Sequence, residues 1–173
     1  MLHVLIKMAV TTGARRGTLL GLRWRDIDLE AGQAFAERTK NGEPFVMVLQ
    51  EDVVHELRRL RGGARADELV FQGRNPYKPM EIDKAFKNAL DKARLEGVVF
   101  HTLRHTHASW LARKGVPLLA IADSLNHKSL AMTKRYSHLA WTLAPRCSRK
   151  SLATRPRKQA TCRTRPCRVW CGP

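Results

Sequence analysis

The stretch HTLRHTHASWLARKGVPL, residues 101–118, predicts a helix that ends at Gly115 and a second helix that begins near Pro117. His101 and Arg104 are three positions apart in the first helix, so they share one helix face. Both lie at its amino end, where free backbone N–H groups and the helix dipole favour anions. The stretch therefore predicts an anion-binding face on a helical scaffold.

The rest of the first 142 residues is mostly helical in pattern. Apolar spacing predicts further helices over residues 1–10, 16–22, 51–60, 81–96 and 129–139. Asn41-Gly42 joins two extended runs and predicts a β-hairpin, because both residues tolerate positive φ. Residues 26–32 are predicted to form a loop. We therefore expect an α+β fold that is mainly helical, with a small antiparallel β-hairpin or sheet.

The 173-residue chain is strongly basic, with 32 Lys and Arg against 15 Asp and Glu, and a net charge of +17. A strongly basic surface attracts polyanions, most often nucleic acid. No apolar run approaches the roughly 20 residues that span a bilayer, so we expect no membrane partner. The amino terminus lacks a secretory pattern, so we expect a cytoplasmic protein.

The composition changes near residue 143. Residues 143–173 contain nine Arg or Lys, no acidic residue and all four cysteines, which are Cys147, Cys162, Cys167 and Cys171. This segment has no apolar periodicity and is predicted to be disordered or loosely attached. The cysteine spacing lacks the paired C-x-x-C of a zinc site, so we expect free thiols and no metal. The predicted organisation is one domain over 1–142 and a basic tail over 143–173.

Six polar side chains in the predicted domain suit attack on a phosphodiester without a metal: Arg15, Lys40, His101, Arg104, His127 and Tyr136. This reaction needs an in-line nucleophile, charge neutralisation in the transition state, and a proton for the leaving 5′-oxygen. Guanidinium groups remain charged and bind phosphate oxygens bidentately. We therefore expect Arg15 and Arg104 to hold the phosphate.

Tyr136 is the predicted nucleophile. A phenol has an unperturbed pKa of about 10, so it needs nearby cations or a base. We predict that His101 accepts its proton, that His127 donates to a non-bridging oxygen, and that Lys40 is the general acid. The phosphotyrosine product conserves the bond energy, so no cofactor is expected.

Four strings in the predicted domain resemble the tyrosine recombinases, the phage integrase family. TGARRGTLLGLRW (12–24) resembles the first arginine box, and TKNG (39–42) resembles the β-hairpin lysine. The stretch 101–118 resembles the H-x-x-R box, and LNHKSLAMTKRYSHL (125–139) resembles the segment that ends in the nucleophile. The resemblance implies the integrase catalytic fold, the same six catalytic positions, and a bacterial or phage origin.

Three positions depart from the family pattern. Thr18 stands where the family usually has an acid, Asn126 stands where it favours Gly, and Thr102 stands where it usually has Asp. Family members also usually carry an amino-terminal clamp domain and a carboxy-terminal helix that packs on a neighbouring subunit. We expect this chain to begin at the catalytic domain, and its tail to be out-of-frame or junction-derived sequence.

Other conspicuous side chains are predicted to be structural. His105 and His107 flank the H-x-x-R box, and we expect both to pack rather than to react. Trp24, Phe86 and Trp110 are predicted to belong to the core.

The resulting expectation is site-specific recombination of double-stranded DNA, by cleavage and rejoining through a 3′-phosphotyrosyl intermediate. The resemblance implies a homo-oligomer, four subunits on two duplexes, and no small-molecule substrate. Two alternatives remain: a truncated, non-catalytic DNA-binding remnant of an integrase, and a DNA-relaxing enzyme like the type IB topoisomerases. A covalent DNA adduct that disappears in Tyr136→Phe would separate the enzyme from the remnant.

Overall fold

The computed structural model describes residues 1–37 and 42–140, all of which belong to one compact unit. Within these residues no helix is long and apolar enough to cross a membrane. Lys40 and Asn41, together with the tail over 143–173, lie outside the described residues. The statements made about them, including the boundary at residue 142, therefore stay predictions.

Two amino-terminal helices meet at a glycine turn. Helix α1 spans Leu2–Thr12, and α2 spans Arg16–Leu20, which confirms both predicted helices. Gly13 ends α1 with φ 65°, and its N–H donates to the Ala9 carbonyl at 3.0 Å. The turn places Arg15 immediately before α2, as its N-cap residue with an extended backbone.

The antiparallel sheet has three strands in the order β1-β2-β3. Strand β1 spans Ile27–Asp28, β2 spans Gln33–Ala36, and β3 spans Phe45–Val48. β2 and β3 pair as the predicted hairpin, so that expectation is confirmed. One face of the sheet packs on the core, and the other exposes Phe35 and Val46.

The predicted loop over 26–32 is wrong in part. Ile27 pairs with Ala34, and Asp28 pairs with Gln33, which adds a third strand to the hairpin. A strand of two residues is too short to show the alternation that identifies strands in a sequence. Its pairing depends instead on contact with β2.

The remaining helices carry most of the site. They are α3 (Glu51–Arg61), α4 (Asp83–Lys92), α5 (Phe100–Arg113), α6 (Leu118–Ser124), α7 (Leu130–Thr133) and α8 (Ser137–Ala140). α4 stops short of the predicted residue 96, because Arg94 and Gly97 have φ values of 54° and 68°, which end a helix. The helix predicted over 129–139 is interrupted by a 3-10 turn, Lys134–Tyr136.

Two buried clusters hold these elements together. The larger joins α1 and α3 to the inner face of the sheet and includes Trp24. The smaller packs α5 against α6 and the 3-10 turn, and Tyr136 is part of it. Phe86 is buried as predicted, but Trp110 is 50% exposed, so its predicted place in the core is wrong. The tyrosine is therefore held by packing as well as by polar contacts.

Gly13→Ala should destabilise the fold by about 2–5 kcal/mol, from left-handed strain of about 1–2 and overpacking of about 1–3 kcal/mol. A Cβ built on Gly13 would lie 2.7 Å from the side chains of both His107 and Leu125. Denaturant unfolding measures the change. Gly17→Ala is the matched control, because a Cβ there meets nothing within 4 Å, and its stability should equal or slightly exceed that of the parent.

Candidate active site

Five of the six predicted site residues line one pocket of about 100 Å³: Arg15, His101, Arg104, His127 and Tyr136. His105, Met132 and Arg135 complete its lining. The sixth predicted residue, Lys40, lies outside the described residues. The fold thus brings together side chains from the α1–α2 turn, from α5, and from the segment after α6.

A larger cavity of about 810 Å³ lies between the sheet and α3. Its lining contains arginines and carboxylates but no histidine or tyrosine, so it lacks the phenol nucleophile that the sequence predicts. Within the described part of the chain, no group of three or more His, Cys, Asp or Glu side chains is placed to hold a metal ion. The small cationic pocket is therefore the candidate site, despite its size.

Arg104 is the buried cation of the pocket, with 4% of its surface exposed. One terminal nitrogen donates to the Gly13 carbonyl at 2.7 Å, and the other donates to the Leu125 carbonyl at 2.5 Å. Burial, followed by the charge of Arg15, lowers the pKa of Arg104 to about 10. The guanidinium consequently stays charged at neutral pH and is fixed in orientation by two backbone segments.

Arg15 contacts the same backbone segment as Arg104, the one that follows α6. Its Nη1 lies 3.5 Å from the Asn126 carbonyl, the residue that follows Arg104's partner Leu125. Asn126 has φ 48°, a left-handed conformation that Gly adopts freely and that Asn tolerates better than most residues. This explains why Asn can stand where the family favours Gly.

His127 is held by a hydrogen bond with Thr133. Its Nδ1 lies 2.8 Å from the hydroxyl of Thr133, which is fully buried. Burial, followed by the charges of Arg104 and Arg15, lowers the pKa of His127 to about 4. The ring is therefore neutral at pH 7, and Nε2 is the nitrogen available to a ligand.

The Tyr136 hydroxyl contacts His105, a residue for which the sequence predicts only a structural role. Nδ1 of His105 lies 2.5 Å from the hydroxyl oxygen. His101 instead meets His105 edge-on, with ring centroids 4.8 Å apart. One signal in the sequence could have pointed to His105. His101 and His105 are at i and i+4 and therefore share a helix face.

Arg135 is a second residue that the sequence reasoning misses. It precedes Tyr136 in the 3-10 turn, and that turn directs it into the pocket. Burial raises the pKa of Tyr136, while the charges of Arg135 and Arg104 oppose that rise. A regular helix over 129–139 places Arg135 and Tyr136 100° apart, so the sequence alone carries no sign that both line one pocket.

Thr102 and Thr18 show what the other departures from the family pattern do. The Thr102 hydroxyl accepts a hydrogen bond from the Val99 N–H at 3.2 Å, which satisfies a free donor at the start of α5. Thr102 therefore performs the capping that an acid could perform there. Thr18 lies on α2 and lines a different cavity, outside the pocket.

Comparison with known proteins identifies the family. The phage integrase family model matches residues 1–142, and the chain belongs to this family, the tyrosine recombinases. The shufflon-specific DNA recombinase of Escherichia coli is 34% identical over 145 residues, which cover 83% of this chain and 36% of that protein. The chain spans less than half the length of this and similar relatives.

Solved structures show the same fold. A crystal structure of XerA recombinase matches with a TM-score of 0.68 and 26% identity, covering 80% of this chain and 53% of that one. XerH site-specific recombinase, in a post-cleavage complex with a palindromic difH substrate, matches with a TM-score of 0.65 and 25% identity. That match covers 80% of this chain and 42% of the XerH chain. The predicted α+β integrase-like fold is confirmed.

The free energy of unfolding should fall between pH 6.5 and pH 4, by on the order of 1–3 kcal/mol through His127. The folded pKa of about 4 lies below the ordinary 6.5, so in this window the unfolded chain binds a proton that the folded chain excludes. Stability from this group is complete above pH 6.5. Denaturant unfolding curves measured at several pH values in this range give the free energy of unfolding. For His127→Gln this free energy should depend less steeply on pH than it does for the unaltered chain. An unchanged pH dependence in His127→Gln would contradict this explanation. His55→Gln, at an exposed site on α3, is the control and should keep the pH dependence of the unaltered chain.

Proposed function

We propose that the chain is the catalytic part of a site-specific DNA recombinase, which cleaves and rejoins double-stranded DNA through a 3′-phosphotyrosyl intermediate. The observation that carries the proposal is one pocket in which a phenol hydroxyl lies among the side chains of three arginines and three histidines. The kinship with a DNA recombinase and the likeness to a DNA-bound recombinase support it. Strand exchange between two duplexes needs more than one active site, so we also propose that the active form is a homo-oligomer.

The arginines would neutralise the scissile phosphate. A guanidinium has five N–H groups, and the two carbonyl contacts of Arg104 use two of them. Its other donors, together with those of Arg15, can bind the non-bridging oxygens as negative charge develops. Preorganised donors of this kind lower a barrier by roughly 3–4 kcal/mol each.

The remaining roles follow from protonation. His127 is neutral and holds Thr133 through Nδ1, so a proton on Nε2 can be donated to a phosphate oxygen. Tyr136 attacks phosphorus, the bond to the 5′-oxygen breaks, and that oxygen takes up a proton. We propose Lys40 as the source of that proton, on the strength of its place beside the hairpin turn in the sequence.

Tyr136→Phe should abolish covalent attachment to DNA while leaving the fold intact, because it removes one hydroxyl from a side chain that otherwise still fills its place. The assay uses nicked duplexes with a randomised core. Cleavage near the nick releases a short fragment that diffuses away, so rejoining is prevented and the protein–DNA adduct accumulates. A denaturant-resistant protein–DNA adduct from the unaltered chain, absent from Tyr136→Phe, is the expected result. No adduct from either chain would support the non-catalytic remnant, and site-independent plasmid relaxation would support a topoisomerase-like enzyme.

Noncovalent DNA binding should persist in Tyr136→Phe and weaken steeply with salt. Each phosphate contact releases counterions, so affinity for a random duplex should fall by about tenfold or more between 50 and 200 mM salt. Fluorescence anisotropy with a labelled duplex measures this. Salt-independent affinity would contradict the electrostatic basis of the proposal.

A further inference from the structure

Within the described part of the chain, His105 is the base whose ring nitrogen contacts the hydroxyl of the proposed nucleophile, Tyr136. Nδ1 of His105 lies 2.5 Å from the hydroxyl oxygen, which is within hydrogen-bond reach. His105 immediately follows Arg104 on α5, so the two carbonyl contacts of Arg104 help to hold the backbone that carries His105. A general base must first lie within hydrogen-bond reach of the proton that it removes.

The other side chains lining the pocket do not meet this condition in the structure. His101 packs edge-on against His105 and makes no hydrogen bond to Tyr136 within the described part of the chain. Nδ1 of His127 is engaged with Thr133. The arginines are donors only and cannot accept a proton.

The electrostatic surroundings set when this base can act. His105 is faced by Arg104 and His101 on its own helix and by Arg135 and Tyr136 on the 3-10 turn, with Arg15 and His127 completing the pocket. Burial, followed by the charges of Arg135 and Arg104, lowers the pKa of His105, so its ring is neutral and able to accept. The same cations disfavour an imidazolium at this position. A bound phosphodiester, being anionic, offsets them and makes proton transfer easier once DNA is in place.

We propose that His105 is the catalytic residue that accepts the Tyr136 proton, an inference that rests on the proposed function. As the phenol oxygen bonds to phosphorus, its O–H bond breaks and the proton moves to Nδ1, while the proton already on Nε2 stays there. The electron pair of the breaking P–O bond goes to the 5′-oxygen, which is protonated by the general acid. On rejoining, the 5′-hydroxyl returns its proton to the deprotonated general acid as its oxygen attacks phosphorus, the P–O bond to Tyr136 breaks, and the departing phenolate recovers its proton from His105.

A measurement without DNA tests the pairing. In the chain labelled with ¹⁵N-histidine, one ring should show a proton on Nε2 and an Nδ1 signal typical of a hydrogen-bond acceptor. Tyr136→Phe should shift that Nδ1 signal, and His105→Gln should remove it. A proton found on Nδ1 of His105, donated towards the phenol oxygen, would overturn the inference even if the chain cleaves DNA.

A kinetic measurement tests the role. His105→Ala should slow adduct formation on the nicked duplex pool by about 100-fold or more, the usual size of a general-base effect. His55→Ala, at an exposed position on α3, is the control and should react at the unaltered rate. Circular dichroism and unfolding curves verify that both variants are folded.

Replacement of Tyr136 by a difluorotyrosine separates proton acceptance from positioning. Fluorine lowers the phenol pKa, so at alkaline pH the nucleophile ionises without a base. The difluorotyrosine form of His105→Ala should therefore regain most of the lost rate, whereas a purely positional defect would remain. Failure to regain it, or an unaltered rate in His105→Ala itself, would refute the inference alone. If the unaltered chain forms no adduct, the proposed function fails, and this inference fails with it.

Discussion

The buried guanidinium of Arg104 is the constraint on which the rest of the site depends. A cation with 4% exposure is costly unless it is hydrogen-bonded, and each of its terminal nitrogens donates to a main-chain carbonyl. Those carbonyls belong to Gly13, after α1, and to Leu125, after α6. One side chain on α5 therefore ties together the turn that carries Arg15 and the segment that carries His127.

The pocket has a surplus of positive charge. The described residues that line it include three arginines and three histidines, and none is acidic. Burial, followed by this positive charge, keeps the pKa of each lining histidine below its ordinary value. An anion that entered the pocket would offset this charge, and in the proposed reaction this would link binding of a phosphate to the protonation changes.

Departures from the family pattern follow local geometry. Asn126 adopts the left-handed conformation of the glycine that it replaces, and Thr102 caps the helix start where an acid is usual. Both preserve the backbone that presents the carbonyls and the H-x-x-R face. Thr18 is different, because it lies outside the pocket, and nothing in the structure assigns it a part in the chemistry.

Periodicity, turn residues and motif spacing are local properties, so the helices, the hairpin and five of the side chains that line the pocket could be predicted from the sequence. It did not reveal strand β1 or the 3-10 turn at Lys134–Tyr136, since both depend on packing against distant segments. For the same reason the tertiary structure alone decided which histidine meets the phenol. His101 and His105 share a helix face, and only the approach of the Tyr136 segment selects His105, because a contact between α5 and that turn is a matter of distance in space.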